Sequence, residues 1–333
     1  MKFTAAVLSI LVALAAAKPT PTLDDTVEKA HLAKRATISD KATLGYATQN
    51  GGTTGGSGGT VTTVSTLAQF TAAVDEKNTA PAIVVVKGVI SGAAKVRIAS
   101  NKTIIGLPGA GFNGVGLHFR YQSNLILRNI VSSLVSADYG DGLKIEGSTN
   151  VWVDHCEFYS ALVSDKDYYD GLIDASHASD YITISYTYFH DHWKTSLIGH
   201  SDSNGDEDTG HLRVTYAHNY WKNCGSRGPS IRFGTGHVYN SYYENMNTAI
   251  NTRMGAQVLV QSNAFKNVTD PIESVDSDEV GYATVIDNDL GGASNTAPAG
   301  SLTANSMPYS YSLLGSSKVA ATVPGQAGAI LTF

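Results

Sequence analysis

Four aspartates in the middle of the chain have the residue type and spacing of a metal-binding cluster. They are Asp138, Asp141, Asp170 and Asp174. Residues four apart on an extended strand face the same side, so Asp170 and Asp174 can point together. Carboxylates that repel one another, with no cation close by in sequence, are stabilised by a hard cation, and flexible oxygen coordination favours calcium over magnesium. Spacing alone favours a simpler alternative, in which these aspartates lie solvated in turns.

Cationic side chains form a second group further along the chain. The segment Arg227-Gly-Pro-Ser-Ile-Arg232 places two arginines around a proline, which stiffens the backbone between them. Planar guanidinium groups suit the recognition of carboxylates, although two surface arginines would give the same pattern. The segment His190-Asp-His-Trp-Lys194 has two interpretations, a metal-binding histidine pair or a polar turn. Arg253 and the acidic stretch 200–208 are expected to be solvated.

A repeated strand pattern must position these groups. Eight short runs rich in β-branched and aromatic residues lie between residues 102 and 286, about 26 residues apart on average, a spacing typical of solenoids. Because no helices separate them, a doubly wound α/β fold is excluded. A sandwich or barrel would need a strand every ~8–12 residues. A parallel β-helix accommodates the long inserts at 160–170 and 200–210 as protruding loops, so we predict an all-β parallel β-helix.

Local signals predict how the coils end and bend. Thr66-Leu-Ala-Gln69 fits a capping box, and Leu67, Phe70 and Val74 follow at helical spacing. We predict one short helix that covers the N-terminal end of the stacked core. Asparagines close several strand runs and are expected to adopt left-handed bends there. These asparagines are Asn129, Asn219, Asn240 and Asn263.

Composition excludes several classes of protein. Of 333 residues, 42% are hydrophobic and 16% are charged, and the net charge is −6. The chain is therefore too apolar for a disordered protein and too polar for a polytopic membrane protein. No apolar stretch reaches the ~20 residues that a membrane span needs. The acidic balance, without a run of Lys or Arg, argues against nucleic-acid binding, and we expect a monomer with no membrane partner.

The first residues predict export from the cell. Residues 1–17 combine one cation, an apolar run and an alanine-rich end, as a signal peptide does. Residues 18–35 end in the dibasic pair Lys34-Arg35, which predicts a propeptide and a single mature domain over residues 36–333.

Two further features are compatible with a secreted protein. Asn101 and Asn267 begin glycosylation sequons. Cys156 and Cys224 could form a disulfide in an oxidising compartment, but they fall at different points of the repeat, and the sequence leaves their pairing open.

Taken together, the clusters resemble a known family. Between residues 138 and 243 the chain is similar to the pectate lyases of polysaccharide lyase family 1, particularly the secreted fungal ones. The matching segments are Gly140-Asp141, Trp152-Val-Asp-His155, Asp170-Gly-Leu-Ile-Asp174, Tyr181-Ile-Thr-Ile-Ser185, Lys194-Thr-Ser-Leu-Ile-Gly-His-Ser-Asp202, Arg227-Gly-Pro-Ser-Ile-Arg232 and His237-Val-Tyr-Asn240. Because these motifs occur in the family's order over about a third of the chain, the resemblance is specific.

The resemblance implies a right-handed parallel β-helix and a calcium-binding site. Asp141, Asp170 and Asp174 match the family's calcium ligands. Asp138 is a candidate for a further ligand, although it stands three residues before Asp141 and the family's carboxylate stands closer. Trp152 and Asp154 are expected to pack and bond within a coil.

The resemblance also implies a reaction, the calcium-dependent cleavage of polygalacturonate by β-elimination. Arg227 matches the residue that abstracts the proton from carbon 5 of the substrate. Lys194 and Arg232 match the cations that hold the substrate carboxylate and stabilise the developing charge.

Three other functions remain as alternatives. A pectin lyase acting on methyl-esterified substrate would lack calcium carboxylates, so the presence of Asp170 and Asp174 favours pectate. A polygalacturonase-type hydrolase on the same fold could use paired carboxylates, but it would leave Lys194, Arg227 and Arg232 unexplained. A non-catalytic carbohydrate-binding β-helix would not need Arg227.

Overall fold

The computed structural model describes residues 22–23 and 36–333, and there the chain forms a parallel β-solenoid. One strand from each of ten successive coils stacks into a single sheet, and all pairings between the named strands are parallel. The predicted all-β parallel β-helix is confirmed. The strands are β1 (Thr22–Leu23), β2 (Thr60–Val64), β3 (Ala82–Val86), β4 (Val89–Arg97), β5 (Lys102–Gly106), β6 (Gly111–Arg120), β7 (Ser123–Arg128), β8 (Val131–Ser133), β9 (Leu143–Glu146), β10 (Thr149–Asp154), β11 (Glu157–Tyr159), β12 (Ile173–Ser176), β13 (Asp180–Ser185), β14 (Tyr188–Lys194), β15 (Leu197–Ile198), β16 (Arg213–Ala217), β17 (Tyr220–Ser226), β18 (Ser230–Arg232), β19 (Thr235–Tyr239), β20 (Tyr242–Arg253), β21 (Gln257–Gln261), β22 (Ala264–Glu273), β23 (Tyr282–Ile286) and β24 (Ser312–Leu313). The α-helices are α1 (Leu67–Ala73), α2 (Gly205–Asp208) and α3 (Ser316–Thr322).

The solenoid has three faces. Face 1 is the ten-stranded sheet from β2 to β23. The second sheet bends inside its long strands, because β6 pairs with β8 through Gly111–Asn113 and with β9 through Leu117–Arg120. This bend separates face 2, which contains β8, β11, β14 and β17, from face 3, which contains β9, β12, β15 and β18.

An aromatic column fills the interior behind face 2. Successive coils place one buried ring at the same register position, and neighbouring ring centroids lie 6.1, 4.1, 5.7 and 4.5 Å apart. The members of this column are Phe158, Phe189, Trp221, Tyr243 and Phe265. Alternate residues of each strand point outward, so the same strands that build the core present polar side chains on the surface.

The asparagine prediction is half right. Asn129 and Asn240 have φ values of 54° and 51°, in the left-handed region. At the other two positions the preceding residue makes the bend, with φ values of 57° at His218 and 54° at Ser262. The side chains of Asn219 and Asn263 are buried instead and bond the backbone of neighbouring coils; Asn219 Oδ1, for example, accepts from the Thr187 N–H at 2.8 Å.

Helices cover parts of the stack. The predicted N-terminal helix is confirmed as α1: Thr66 caps it by accepting a hydrogen bond from the Gln69 N–H, and Phe70 and Val74 are buried in the solenoid core. The sequence analysis missed α3, whose Val319 packs on face 2 against Tyr220 and Tyr242. No helix in residues 22–23 and 36–333 is long and apolar enough to cross a membrane.

The pairing of the two cysteines and the first 35 residues were the features linked to export in the sequence analysis. Cys156 and Cys224 are both buried and unpaired, so the structure contains no disulfide between them. The predicted signal peptide (1–17) and propeptide (18–35) lie outside the described residues, apart from positions 22 and 23.

Candidate active site

Two of the predicted carboxylates are brought together on face 3. Asp141 lies two residues before the start of β9, Asp174 lies in β12 one coil further on, and both residues are 4% exposed. Asp141 Oδ1 accepts from the Gly171 N–H, and Asp174 Oδ1 accepts from the Leu197 N–H, both at 2.9 Å. Burial raises the pKa of Asp141, and the charges of Asp174 and Asp170 raise it further. The two groups therefore form a buried, mutually repelling pair.

Asp170 and Asp138 stand apart from that pair. The Asp170 side chain is about half exposed, and its Oδ1 lies 3.7 Å from Lys194 Nζ. Asp138 is exposed on the short 3-10 turn Ala137–Tyr139. No three carboxylate, imidazole or thiol groups in the described part of the chain come close enough together to form a complete metal cage. Any cation bound by Asp141 and Asp174 would need other oxygen ligands to complete its coordination.

A cation does lie beside these carboxylates, contrary to the expectation from the sequence. Lys144 projects from β9 directly opposite Asp174, and its Nζ is 3.5 Å from Asp141 Oδ2. Burial opposes the charged form of Lys144, but Asp141, Asp174 and Asp170 together raise its pKa. The contact with Asp141 is local, because the two residues are three apart in sequence, whereas the strand register places Lys144 opposite Asp174 on the next coil.

Lys194 ends β14 beneath the 160–170 loop. Its Nζ donates to Asp167 Oδ1 at 2.7 Å, and the neighbouring Trp193 ring N–H donates to the Val163 carbonyl at 2.8 Å. The Lys166 ammonium lies over the Trp193 ring, 4.9 Å from its centroid. The loop that was predicted to protrude thus packs onto the strand that carries Lys194.

The backbone presents Arg227 from the short connection between β17 and β18. Its φ of 63° is left-handed, a conformation that costs an L-residue ~1–2 kcal/mol. Two backbone hydrogen bonds hold it: the Ser196 N–H donates to the Arg227 carbonyl at 2.8 Å, and the Gly228 N–H donates to the Ala249 carbonyl at 2.7 Å. The side chain is half-buried, and its charge acts on Asp174 and Asp167.

Arg232 is fixed by groups that sequence reasoning had treated as solvent-exposed. Its guanidinium forms an ion pair with Asp202, and its Nη1 donates to the Gly199 carbonyl at 3.0 Å. Asp202 also accepts from the Ser277 hydroxyl at 2.8 Å and from the Asp278 N–H at 3.0 Å. The acidic stretch 200–208 therefore includes a residue that orients Arg232, and the expectation that it is simply solvated was wrong.

Arg253 is a further member of the site that was expected to lie at the surface. It is 7% exposed and stands directly opposite Arg232 on the adjacent strand. Burial lowers its pKa to about 10, and the charge of Arg232 contributes to this. The signal available in the sequence was its separation from Arg232, close to one coil of the repeat.

The remaining predicted cluster is structural. His190 contacts Glu157 at 3.1 Å and Asp191 at 2.7 Å, and His192 contacts Ser160 at 2.6 Å. These histidines lie on the strand β14 and not in a turn. They belong to no metal-binding group in the parts of the chain that are described.

Face 3 therefore carries an anionic and a cationic patch side by side. The carboxylates Asp141 and Asp174 lie on the earlier coils. Of the cations on the later coils, Arg232 and Arg253 lie on face 3, Arg227 lies on the connection that leads to it, and Lys194 lies at the end of the face 2 strand β14. Such a surface can bind a polyanion through its carboxylates, directly at the arginines and through a bridging cation at the aspartates.

Known proteins are similar to this chain in sequence over nearly its full length. A family profile described as pectate lyase matches residues 4–330. A probable pectate lyase A of Neosartorya fischeri is 55% identical over 336 residues, which cover 100% of both chains. The pectate lyase plyB of Emericella nidulans is 51% identical over 331 residues, covering 98% of this chain and 99% of that protein.

Solved structures agree in architecture. A pectate lyase from Bacillus sp. N165 in complex with trigalacturonate has a TM-score of 0.77 at 32% identity, covering 86% of this chain and 98% of its own. Another pectate lyase, studied for its substrate specificity and anti β-elimination mechanism, has a TM-score of 0.80 at 26% identity, covering 88% and 99%. With this fold and these sequence matches, the chain belongs to the pectate lyase family and is a polysaccharide lyase.

Proposed function

We propose that this lyase cleaves polygalacturonate by calcium-dependent β-elimination and releases 4,5-unsaturated oligogalacturonides. The observation that carries the proposal is the buried pair Asp141 and Asp174 next to the cations Lys194, Arg227 and Arg232. A hydrolase would need an acid and a base on the two sides of a glycosidic bond. It would have no use for this set of three cations near a buried carboxylate pair.

The reaction requires a base next to a bound substrate carboxylate. Arg232 and Lys194 hold the carboxylate on carbon 5 of a galacturonate residue and stabilise the charge that develops on it. Arg227 takes the proton from carbon 5, the carbon 4–oxygen bond breaks, and the electron pair forms the carbon 4–carbon 5 double bond. The departing oxygen takes a proton from water. An arginine is normally protonated, so this role requires the neutral guanidinium at the moment of proton transfer.

The carboxylates of this site fit calcium. Asp141, Asp174 and the more exposed Asp170 supply hard oxygen ligands, and the repulsion within the buried pair is relieved by a divalent cation. Bound calcium would neutralise the substrate carboxylate and so acidify the proton on carbon 5. Asp138, on its exposed turn, is the weakest of the four candidate calcium ligands.

The proposal includes the fate of the protein. We infer a secreted enzyme that acts on plant cell-wall pectin after loss of residues 1–35. Of the two sequons, Asn267 suits a glycan better because its side chain is exposed at the end of a row of asparagines and contacts Asn245 at 3.1 Å. The side chain of Asn101 is bonded on both sides, to Thr79 and Asn124.

The test follows the absorbance of the unsaturated product during incubation of the mature protein with polygalacturonate. Absorbance should rise with calcium and stop rising when excess chelator is added. Chelator-insensitive product, particularly from methyl-esterified pectin, would favour the pectin lyase alternative and contradict the calcium assignment. New reducing ends without unsaturated product would indicate hydrolysis. If neither product formed, the non-catalytic carbohydrate-binding alternative would be favoured.

A further inference from the structure

Lys144 occupies a special position among the cations of face 3. It stands in the middle of a row of outward-facing residues, with His118 on the preceding coil and Asp174 on the following one. Its Nζ is 3.5 Å from Asp141 Oδ2, and its side chain is 27% exposed. The charges of all three proposed calcium ligands act on it. The ammonium therefore lies beside Asp141 of its own coil, on a residue opposite Asp174 of the next coil.

Neighbouring cations on the same face have other partners. Arg120, one coil earlier, pairs with Glu146 at 3.2 Å, and Arg97 pairs with Glu76 at 3.6 Å. The ion pair that the described structure gives Lys144 is with Asp141, a residue of the proposed metal site. Its role is thus tied to that site in a way that the roles of Arg97 and Arg120 are not.

We propose that Lys144 is an internal counter-ion of the calcium site, which balances the aspartates when no metal is bound and weakens calcium binding. This inference rests on the proposed function. Buried like charges destabilise a folded protein unless a cation is near, and the ammonium supplies one. An incoming calcium ion meets a positive charge beside its ligands, so its affinity is lower than the aspartates alone would give.

The same arrangement couples calcium to the substrate. The four-carbon stem of a lysine is flexible, and its ammonium can turn from Asp141 toward an acidic sugar that arrives on the face. Once the ammonium pairs with a substrate carboxylate, the aspartates are free for the metal. Because coupling between two binding sites is reciprocal, polygalacturonate should tighten calcium binding, and calcium should tighten substrate binding.

Calcium titration calorimetry on the mature protein tests the inference without relying on turnover. We expect Lys144→Gln to bind calcium about tenfold more tightly than the unsubstituted protein, since one nearby positive charge is removed. Lys144→Arg, which keeps the charge, should stay close to the unsubstituted affinity. Arg120→Gln removes one charge from the same face and should leave the affinity unchanged. Asp174→Asn should abolish the binding and so identify the site.

Thermal unfolding gives a second readout on the same variants. In chelator, Lys144→Gln should melt at a lower temperature than the unsubstituted protein, because the aspartate pair has lost its counter-ion. Added calcium should then raise its melting temperature by more. Calcium binding that Asp174→Asn abolishes but that Lys144→Gln leaves equal or weaker would overturn the role of Lys144 alone. Absence of calcium binding in the unsubstituted protein would overturn the proposed function, and this inference with it.

Discussion

Asp154 on face 1 and Asp141 beside face 3 are both almost inaccessible, yet their pKa values shift in opposite directions. Burial alone would raise the pKa of Asp154, but His155, Arg128 and the Ser185 hydroxyl lower it to about 2. Burial raises the pKa of Asp141 as well, and there the nearby carboxylates add to the effect. The first carboxylate is satisfied within the protein, and the second is left partly unsatisfied.

The surroundings explain the contrast. Arg128 donates through Nε to Asp154 at 2.8 Å and through Nη1 to Asp40 at 2.8 Å, and it lies over the ring of Trp152. Trp152 in turn donates to the Ser185 hydroxyl at 3.0 Å, on the next coil and not within its own coil as the sequence predicted. This network needs no ligand. Face 3 concentrates carboxylates that Lys144 balances only in part, so a ligand of opposite charge can still be bound there, which is the property of a binding site.

The largest effect that sharpens this contrast is expected at Arg227. Arg227→Ala should lower kcat on polygalacturonate by about 10²–10⁴-fold, because the group that receives the proton is lost. The melting temperature should change by no more than about 2 °C, because the bonds that hold residue 227 in place come from its backbone. Absorbance of the unsaturated product and thermal unfolding measure the two effects.

Arg120→Ala is the matched control for that substitution. Arg120 lies on the same face, is about half exposed and pairs with Glu146. Its loss should change kcat by less than about twofold, since exposed ion pairs contribute little. If Arg227→Ala and Arg120→Ala retained similar activity, the base would have to be sought elsewhere in the site.

How much of this contrast the sequence predicted depends on how local each feature is. Strand periodicity revealed the coils, and the motifs located Asp141, Asp174 and Arg227. Two features were missed because they depend on register between coils: the position of Lys144 opposite Asp174, and the burial of Arg253 beside Arg232. A residue's position along a strand shows whether it points outward, but not what the next coil places beside it.

The loops and the C-terminus were harder still. The sequence marked 160–170 and 200–210 as inserts, but the contacts of Asp167 with Lys194 and of Asp202 with Arg232 join segments about 30 residues apart. The helix α3 lacks an N-terminal side-chain cap, so no capping residue in the sequence predicted where it begins. Its stability comes from packing against the tyrosines of face 2, which is a tertiary effect.

The second largest effect, on stability and not on catalysis, is expected at Asp154. Asp154→Asn should lower the free energy of unfolding by about 3–5 kcal/mol, because it leaves the buried Arg128 with one carboxylate fewer. Activity per folded molecule should not change. Denaturant titration measures the loss, and Glu76→Gln in the exposed pair with Arg97 is the control, with an expected cost below about 1 kcal/mol.

Acid titration provides an independent check on Asp154. Its pKa is lowered in the folded protein, from 3.8 to about 2, so its stabilising contribution is present above pH 3.8 and is lost as the pH falls through 2. The unsubstituted protein should lose stability more steeply than Asp154→Asn in this window. Parallel stability curves for the two proteins would show that Asp154 contributes no proton-linked stability.

The smallest expected effect has the opposite sign and lies at Asp141. Asp141→Asn removes one charge of a buried, repelling pair, and its Oδ1 can still accept the Gly171 N–H bond. In chelator the variant should therefore gain up to about 1 kcal/mol of stability, by denaturant titration, while losing calcium-dependent activity. Because Asp141 also faces Lys144, the gain depends on repulsion by Asp174 exceeding attraction by the ammonium.

A loss of stability as large as that of Asp154→Asn would show that both faces are equally satisfied within the protein, and the distinction drawn between them would not hold. A gain would mean that the fold sustains an unfavourable charge arrangement at Asp141 and Asp174, which Lys144 balances only in part and a bound cation would relieve further.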